Sequence, residues 1–145
     1  MKWSEVAIQD LKRYSGLKNS LETIPERIEA LELQFTCVAG SAPDKIVVQN
    51  SGQAVDDKML DNIVQRERLK LTFRANKVLV DLIERGLSAL NDTERKVLEC
   101  FYMYRCRGHV ERLMDDLGYE KTAVYEIKDR ALYQLTTHMY GLQEY

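Results

Sequence analysis

Breakers are scarce in this chain. Two prolines and seven glycines in 145 residues leave long stretches with nothing to stop a helix. Cysteine is scarce too: Cys37, Cys100 and Cys106 are odd in number and form no Cys-x-x-Cys pair. That excludes a disulfide framework and leads to the expectation of a reduced, cytoplasmic protein with buried thiols. His109 and His138 are the only histidines, and their spacing to the cysteines fits no zinc arrangement, so neither metal nor cofactor is expected. No apolar run approaches the roughly 20 residues that span a bilayer. Met-Lys-Trp-Ser-Glu reaches an acidic residue at once, unlike a signal peptide. An excess of one charge is also missing: the formal net charge is −2, and from Ser88 onward eight Lys/Arg meet ten Asp/Glu. Electrostatic steering of the kind used by nonspecific DNA binders is therefore expected to be modest.

What is present is apolar content of 45% with 30% charged residues, the balance of a foldable chain, arranged at helical spacing. Ser4 to Tyr14 reads as a short amphipathic helix, with Ser15-Gly16 as its break. Leu17, Leu21, Ile24, Ile28, Leu31 and Phe35 then step by four and three, the seam of one helix lying along another. Thr23-Ile-Pro-Glu26 reads as a capping box with proline in the first turn, so a restart or kink is expected at Pro25. Residues 39–55 carry the punctuation Gly40-Ser-Ala-Pro43 and Asn50-Ser-Gly52 and are expected to be a flexible loop, with Ile46-Val-Val48 as a possible short strand. Asp56-Asp57 opens a long helix with no breaker before Gly86. Leu69, Phe73, Asn76, Val80, Ile83, Leu87 and Leu90 form one apolar stripe on it. Leu60, Val64, Leu71, Ala75, Val78 and Leu82 form another, so this helix is expected to touch two neighbours, one of them the domain that follows or a second copy of the chain.

The most informative segment runs from Leu117 to Leu135. A helix ends at Leu117-Gly118, where glycine permits a turn that a side chain resists. A second helix follows with Val124, Ile127, Ala131 and Leu135 on one face. Two helices joined this way share a small core and leave the start of the second exposed, as in a helix-turn-helix. Asn91 or Asp92 caps the helix before them, with Val97, Leu98, Phe101 and Tyr102 inward and Cys106-Arg-Gly108 closing it. Gly141 is a natural C-cap.

Leu90, Glu94, Val97, Leu98, then Leu117-Gly118, then Val124, Ile127, Ala131, Leu132 and Leu135 recur in the order and spacing of region four of bacterial sigma factors, which this C-terminal third resembles. The whole chain is similar to phage ArpU/RinA-like late-gene regulators, through Arg13-Tyr14, Ile24-Pro-Glu-Arg-Ile28, Arg66-Glu-Arg-Leu69 and Glu120-Lys-Thr-Ala-Val-Tyr125. The resemblance implies an all-α protein that regulates phage or prophage late or packaging genes. It departs at Glu120, where a Ser or Thr cap is usual, and at Tyr125 and Glu126, where the pattern has Arg and Gln.

The expected organisation is a helical arm over residues 1–87 and a helix-turn-helix over residues 88–145. Lys121, Thr122, Tyr125, Glu126 and Lys128 face outward or sideways at the start of the second motif helix. There a lysine can meet guanine or phosphate, a threonine a thymine methyl, and a glutamate the cytosine amino group. Arg105, Arg107, His109 and Arg112 surround the start of the first motif helix, where backbone phosphate contact is common. A basic face Arg66, Lys70, Arg74, Lys77 has two readings: a phosphate-contacting arm, or a solvated face paired with the acids between Glu22 and Glu32. Asp115-Asp116 diverge on a helix and read as a solvated turn, and no catalytic arrangement is recognisable. The expected partner is double-stranded DNA, with RNA polymerase and a second copy through the long helices as further partners, and no membrane. Two rival functions share these features: a small-terminase-like packaging subunit, and a helical adaptor that barely touches DNA.

Overall fold

Trp3 to Ala39 form a single helix (α1), with no break at Ser15-Gly16 and no restart at Pro25. The computed structural model describes residues 2–39 and 51–141. Helix α2 spans Ser51–Ser88, α3 Asp92–Leu98, α4 His109–Leu117 and α5 Lys121–Tyr140, with a π turn at Glu99–Met103. The protein is all-α, and the described residues contain no strand. No described helix is long and apolar enough to cross a membrane. Of the expected loop at 39–55, Ala39 ends α1 and Ser51 to Val55 open α2. The remainder, including Ile46-Val-Val48, lies outside the described residues.

The helix runs through Ser15-Gly16 and through Pro25 for the same reason. Gly16 and Pro25 sit on the solvated face, while the seam residues Leu11, Leu17, Ile24 and Leu31 on the other face are buried. Apolar burial along a long seam outweighs two local costs of about 1 and about 3 kcal/mol.

The chain divides into two compact units, one of residues 1–17 with 78–145 and one of residues 18–77. The division does not fall at 87/88 as expected, because the first turns of α1 are tied to α5. Trp3 packs on Tyr140 with ring centroids 5.0 Å apart, and the Tyr140 hydroxyl donates to Asp10 Oδ2 at 2.5 Å. In the same unit the Tyr14 hydroxyl donates to Glu84 Oε1 at 2.7 Å. Gly86 lets α2 and α5 approach: a Cβ there would lie 2.7 Å from Leu135 Cδ1 and 2.9 Å from Met139 Cγ.

In the second unit the two long helices run antiparallel. Asn76 Nδ2 donates to Ser20 Oγ at 2.9 Å, and Asn62 Nδ2 donates to Leu31 O at 2.7 Å. The Arg66 guanidinium lies over the Phe35 ring at 4.9 Å. The seam on α2 thus starts earlier than its purely apolar stripe, because Asn62 and Arg66 are polar members of it. Arg66 is spent on Phe35, and Lys70 pairs with Glu67 at 3.2 Å on its own helix, not with the acids between Glu22 and Glu32.

The turn from α2 into α3 is fastened from both sides. Arg95 Nε and Nη2 donate to the carbonyls of Leu87 and Leu90 at 3.2 and 3.3 Å, tying α3 to the end of α2 and the turn that follows it. Asn91 is the N-cap of α3: its Oδ1 accepts from Glu94 N at 2.8 Å while its Nδ2 donates to the Glu94 carboxylate at 2.7 Å.

Candidate nucleic-acid interface

Helix α3 does not reach Cys106-Arg-Gly108. It widens at Glu99 into the π turn, which the Tyr104 N–H closes on Glu99 O at 2.7 Å. The wider turn sets Phe101 into the core with Val97, Val110, Leu113, Val124 and Ile127. Phe101 is then the hub of an aromatic cluster. His109 meets it edge-on at 4.8 Å and Tyr125 at 5.6 Å, while Tyr102 is tilted against it at 6.0 Å. Cys100, Tyr102, Met114 and Leu117 pack around that core. Burial raises the Cys100 thiol above its ordinary pKa, and burial raises the Tyr102 hydroxyl likewise.

Two left-handed glycines frame α4. Gly108 precedes it at φ 72° and ψ 28°, and Gly118 ends it at φ 72° and ψ 24°, its N–H donating to Met114 O at 2.9 Å. A side chain resists that backbone region, which is why Leu117-Gly118 was legible as a stop. Helix α5 starts three residues later with Glu120 at the N-cap. The Glu120 side chain makes no capping bond, as its replacement of Ser or Thr led one to expect. Buried Val124, Ile127, Ala131, Leu132, Leu135, Thr136 and Met139 fix the face that α5 turns inward. Thr136 is accommodated there because its hydroxyl donates to Leu132 O at 2.7 Å.

That face decides where the expected contact residues go. Lys121, Thr122, Tyr125 and Glu126 are all exposed at the leading end of α5. Arg105 and Arg107 are exposed on the segment before α4. Arg105, Arg107 and His109 share with Lys121 and Tyr125 one open groove of about 470 Å³. Two clusters that the sequence placed on different elements thus form one polar surface. Cys106, Gly108, Val110 and Glu111 complete the lining. Spacing gave no signal for Cys106 and Glu111, because it cannot show that α4 and α5 start side by side.

Three expected contacts are more committed than their exposure in sequence suggested. Lys128 is half-buried: its Nζ lies 2.8 Å from Asp129 Oδ1, 5.8 Å from the Phe101 centroid and 5.5 Å from the Tyr125 centroid. Burial pulls its pKa down, but the bond to Asp129 and its neighbours outweigh that, and the net shift is upward. Lys128 therefore stays charged and braces Tyr125 from behind. His109 is half-buried by its ring contact with Phe101. Arg112 is exposed but donates to Cys106 Sγ at 3.4 Å, outside the groove lining.

Asp115 and Asp116 are both exposed, and Asp116 pairs with Lys96 at 3.4 Å, a link between α3 and α4. Tyr104, Tyr119 and Tyr133 lie at the rim, exposed. Among the described residues no group of three or more His, Cys, Asp or Glu is placed to hold a metal ion. Comparison with protein-family models, with curated proteins and with solved structures finds no match to this chain.

Proposed function

We propose that this protein binds double-stranded DNA sequence-specifically, without catalysis, and regulates transcription of phage or prophage late or packaging genes. The observation that carries the reading is the groove that joins Arg105, Arg107 and His109 to Lys121 and Tyr125. A helix-turn-helix needs that juxtaposition: cations near the start of one helix hold the phosphate backbone, and the tip of the next reads base edges. Lys121 suits guanine or phosphate, Thr122 a thymine methyl, Tyr125 a base edge and Glu126 the cytosine amino group. The similarity to sigma region four and to ArpU/RinA-like regulators supports the transcriptional and phage context.

The experiment is a gel-shift titration of the full chain on a bound duplex, with thermal unfolding in parallel. K121A/Y125A should weaken binding by about tenfold or more with little change in unfolding, since bidentate base contacts are worth about 1–3 kcal/mol each. Y125F keeps the ring on Phe101 and separates loss of packing from loss of the hydroxyl. R105A/R107A should weaken all duplexes alike and reduce the salt slope by about two. Unchanged affinity in K121A/Y125A contradicts the assignment.

The net charge of −2 favours a second reading, a helical adaptor that docks on RNA polymerase or another protein. It predicts no duplex affinity even at low salt.

A further inference from the structure

Helix α2 is apolar on two sides, and only one of them is covered within residues 18–77. The seam through Asn62, Leu69, Phe73 and Asn76 faces α1. At about 100° per residue, Leu60, Val64, Leu71 and Ala75 fall on the opposite side. They are exposed, Leu60 and Leu71 by 59% and 61%. An apolar stripe left open along several turns of a well-formed helix is a docking surface by its chemistry.

Charge along the same helix selects the occupant. Asp61 lies at one end of the stripe and Arg74 at the other, with Glu67 and Arg68 side by side at its middle. The surface is complementary to itself when reversed. A parallel mate would set acid beside acid and base beside base.

We propose that the stripe binds a second copy of this chain, with α2 packed antiparallel on its mate about a two-fold axis between Glu67 and Arg68. That axis lays Leu60 against Ala75 of the mate and Val64 against its Leu71. Each of these four apolar positions meets another, Asp61 meets Arg74 of the mate, and Glu67 meets its Arg68. The contact is isologous, so it closes as a dimer. Its length, about 22 Å of helix, puts it at the small end of specific interfaces, with association on the order of micromolar. This inference is independent of DNA binding.

The test is sedimentation equilibrium of the full chain over a concentration range reaching several hundred micromolar, alongside far-ultraviolet circular dichroism. The wild type should move from the mass of one chain to that of two. V64E/L71E, both changes at exposed sites, should stay at the mass of one with the same helicity. A wild type that remains single throughout, or a V64E/L71E variant that dimerises as well as the wild type, overturns the proposal. Orientation is read by crosslinking in a background with Cys37 replaced by serine. L60C mixed with A75C should give a disulfide-linked pair, while L60C alone should not. Efficient self-linking of L60C overturns the antiparallel arrangement.

Discussion

Tyr14 and Tyr140 show how single side chains tie the first turns of α1 to α2 and to α5. Each hydroxyl donates to a carboxylate, Glu84 and Asp10 respectively. Burial first, and then the bond to the carboxylate, raise both hydroxyls well above their ordinary pKa of 10.0. A folded pKa above the unfolded one means that the fold retains protons the unfolded chain gives up. The stability from these groups is therefore complete below about pH 10 and is lost as pH rises through the folded values. Denaturant unfolding measured from pH 8 to pH 11.5 should show stability falling from about pH 10 upward. Y14F/Y140F should begin from a lower plateau, having lost two hydrogen bonds, and fall less steeply. Parallel limbs for the two proteins would contradict the pairing of these hydroxyls with Glu84 and Asp10. Neither bond was visible in sequence, since their partners lie 70 and 130 positions away.

Among the elements, α1 is where local signals and tertiary packing disagree. Pro25 removes an N–H and leaves Leu21 O without its usual helical partner, yet the helix continues. Pro25 is exposed, so P25A should restore the bond without disturbing the seam and raise unfolding stability by about 1–3 kcal/mol. Urea titration checks this, and an unchanged or lower stability would mean that the proline shapes the packing of α1. Element identity was otherwise well legible. α4 and α5 begin and end at the residues that spacing, Gly118 and Gly141 indicated. Of the two α3 caps that residue type allowed, Asn91 and Asp92, the structure uses Asn91. Three features were not legible. Continuity of α1 depends on apolar contacts to α2 that span the breaks. The π turn depends on where Phe101 finds room in a core built from three other elements. The close approach at Gly86 depends on α5, about fifty residues away. Of the interface, the exposed set on α5 was readable from periodicity, whereas the inward commitment of Lys128 and His109 needed the position of Phe101.

At the scale of the whole molecule, the proposed DNA binding must work at a net charge of −2. The proposal rests on local geometry: exposed Arg105, Arg107 and Lys121 share one groove in which Glu111 is the one acidic lining residue, while Asp116 pairs with Lys96 and Asp129 with Lys128. Affinity should then depend steeply on a few contacts and discriminate strongly between sequences. The most direct measurement is selection of bound sites from a random duplex pool at fixed moderate salt, with the wild type and K121A/Y125A side by side. The account predicts one enriched sequence motif for the wild type, and its loss or relaxation in the double variant. Recovery of no motif by the wild type, together with no retained duplex when the salt is lowered, would contradict it.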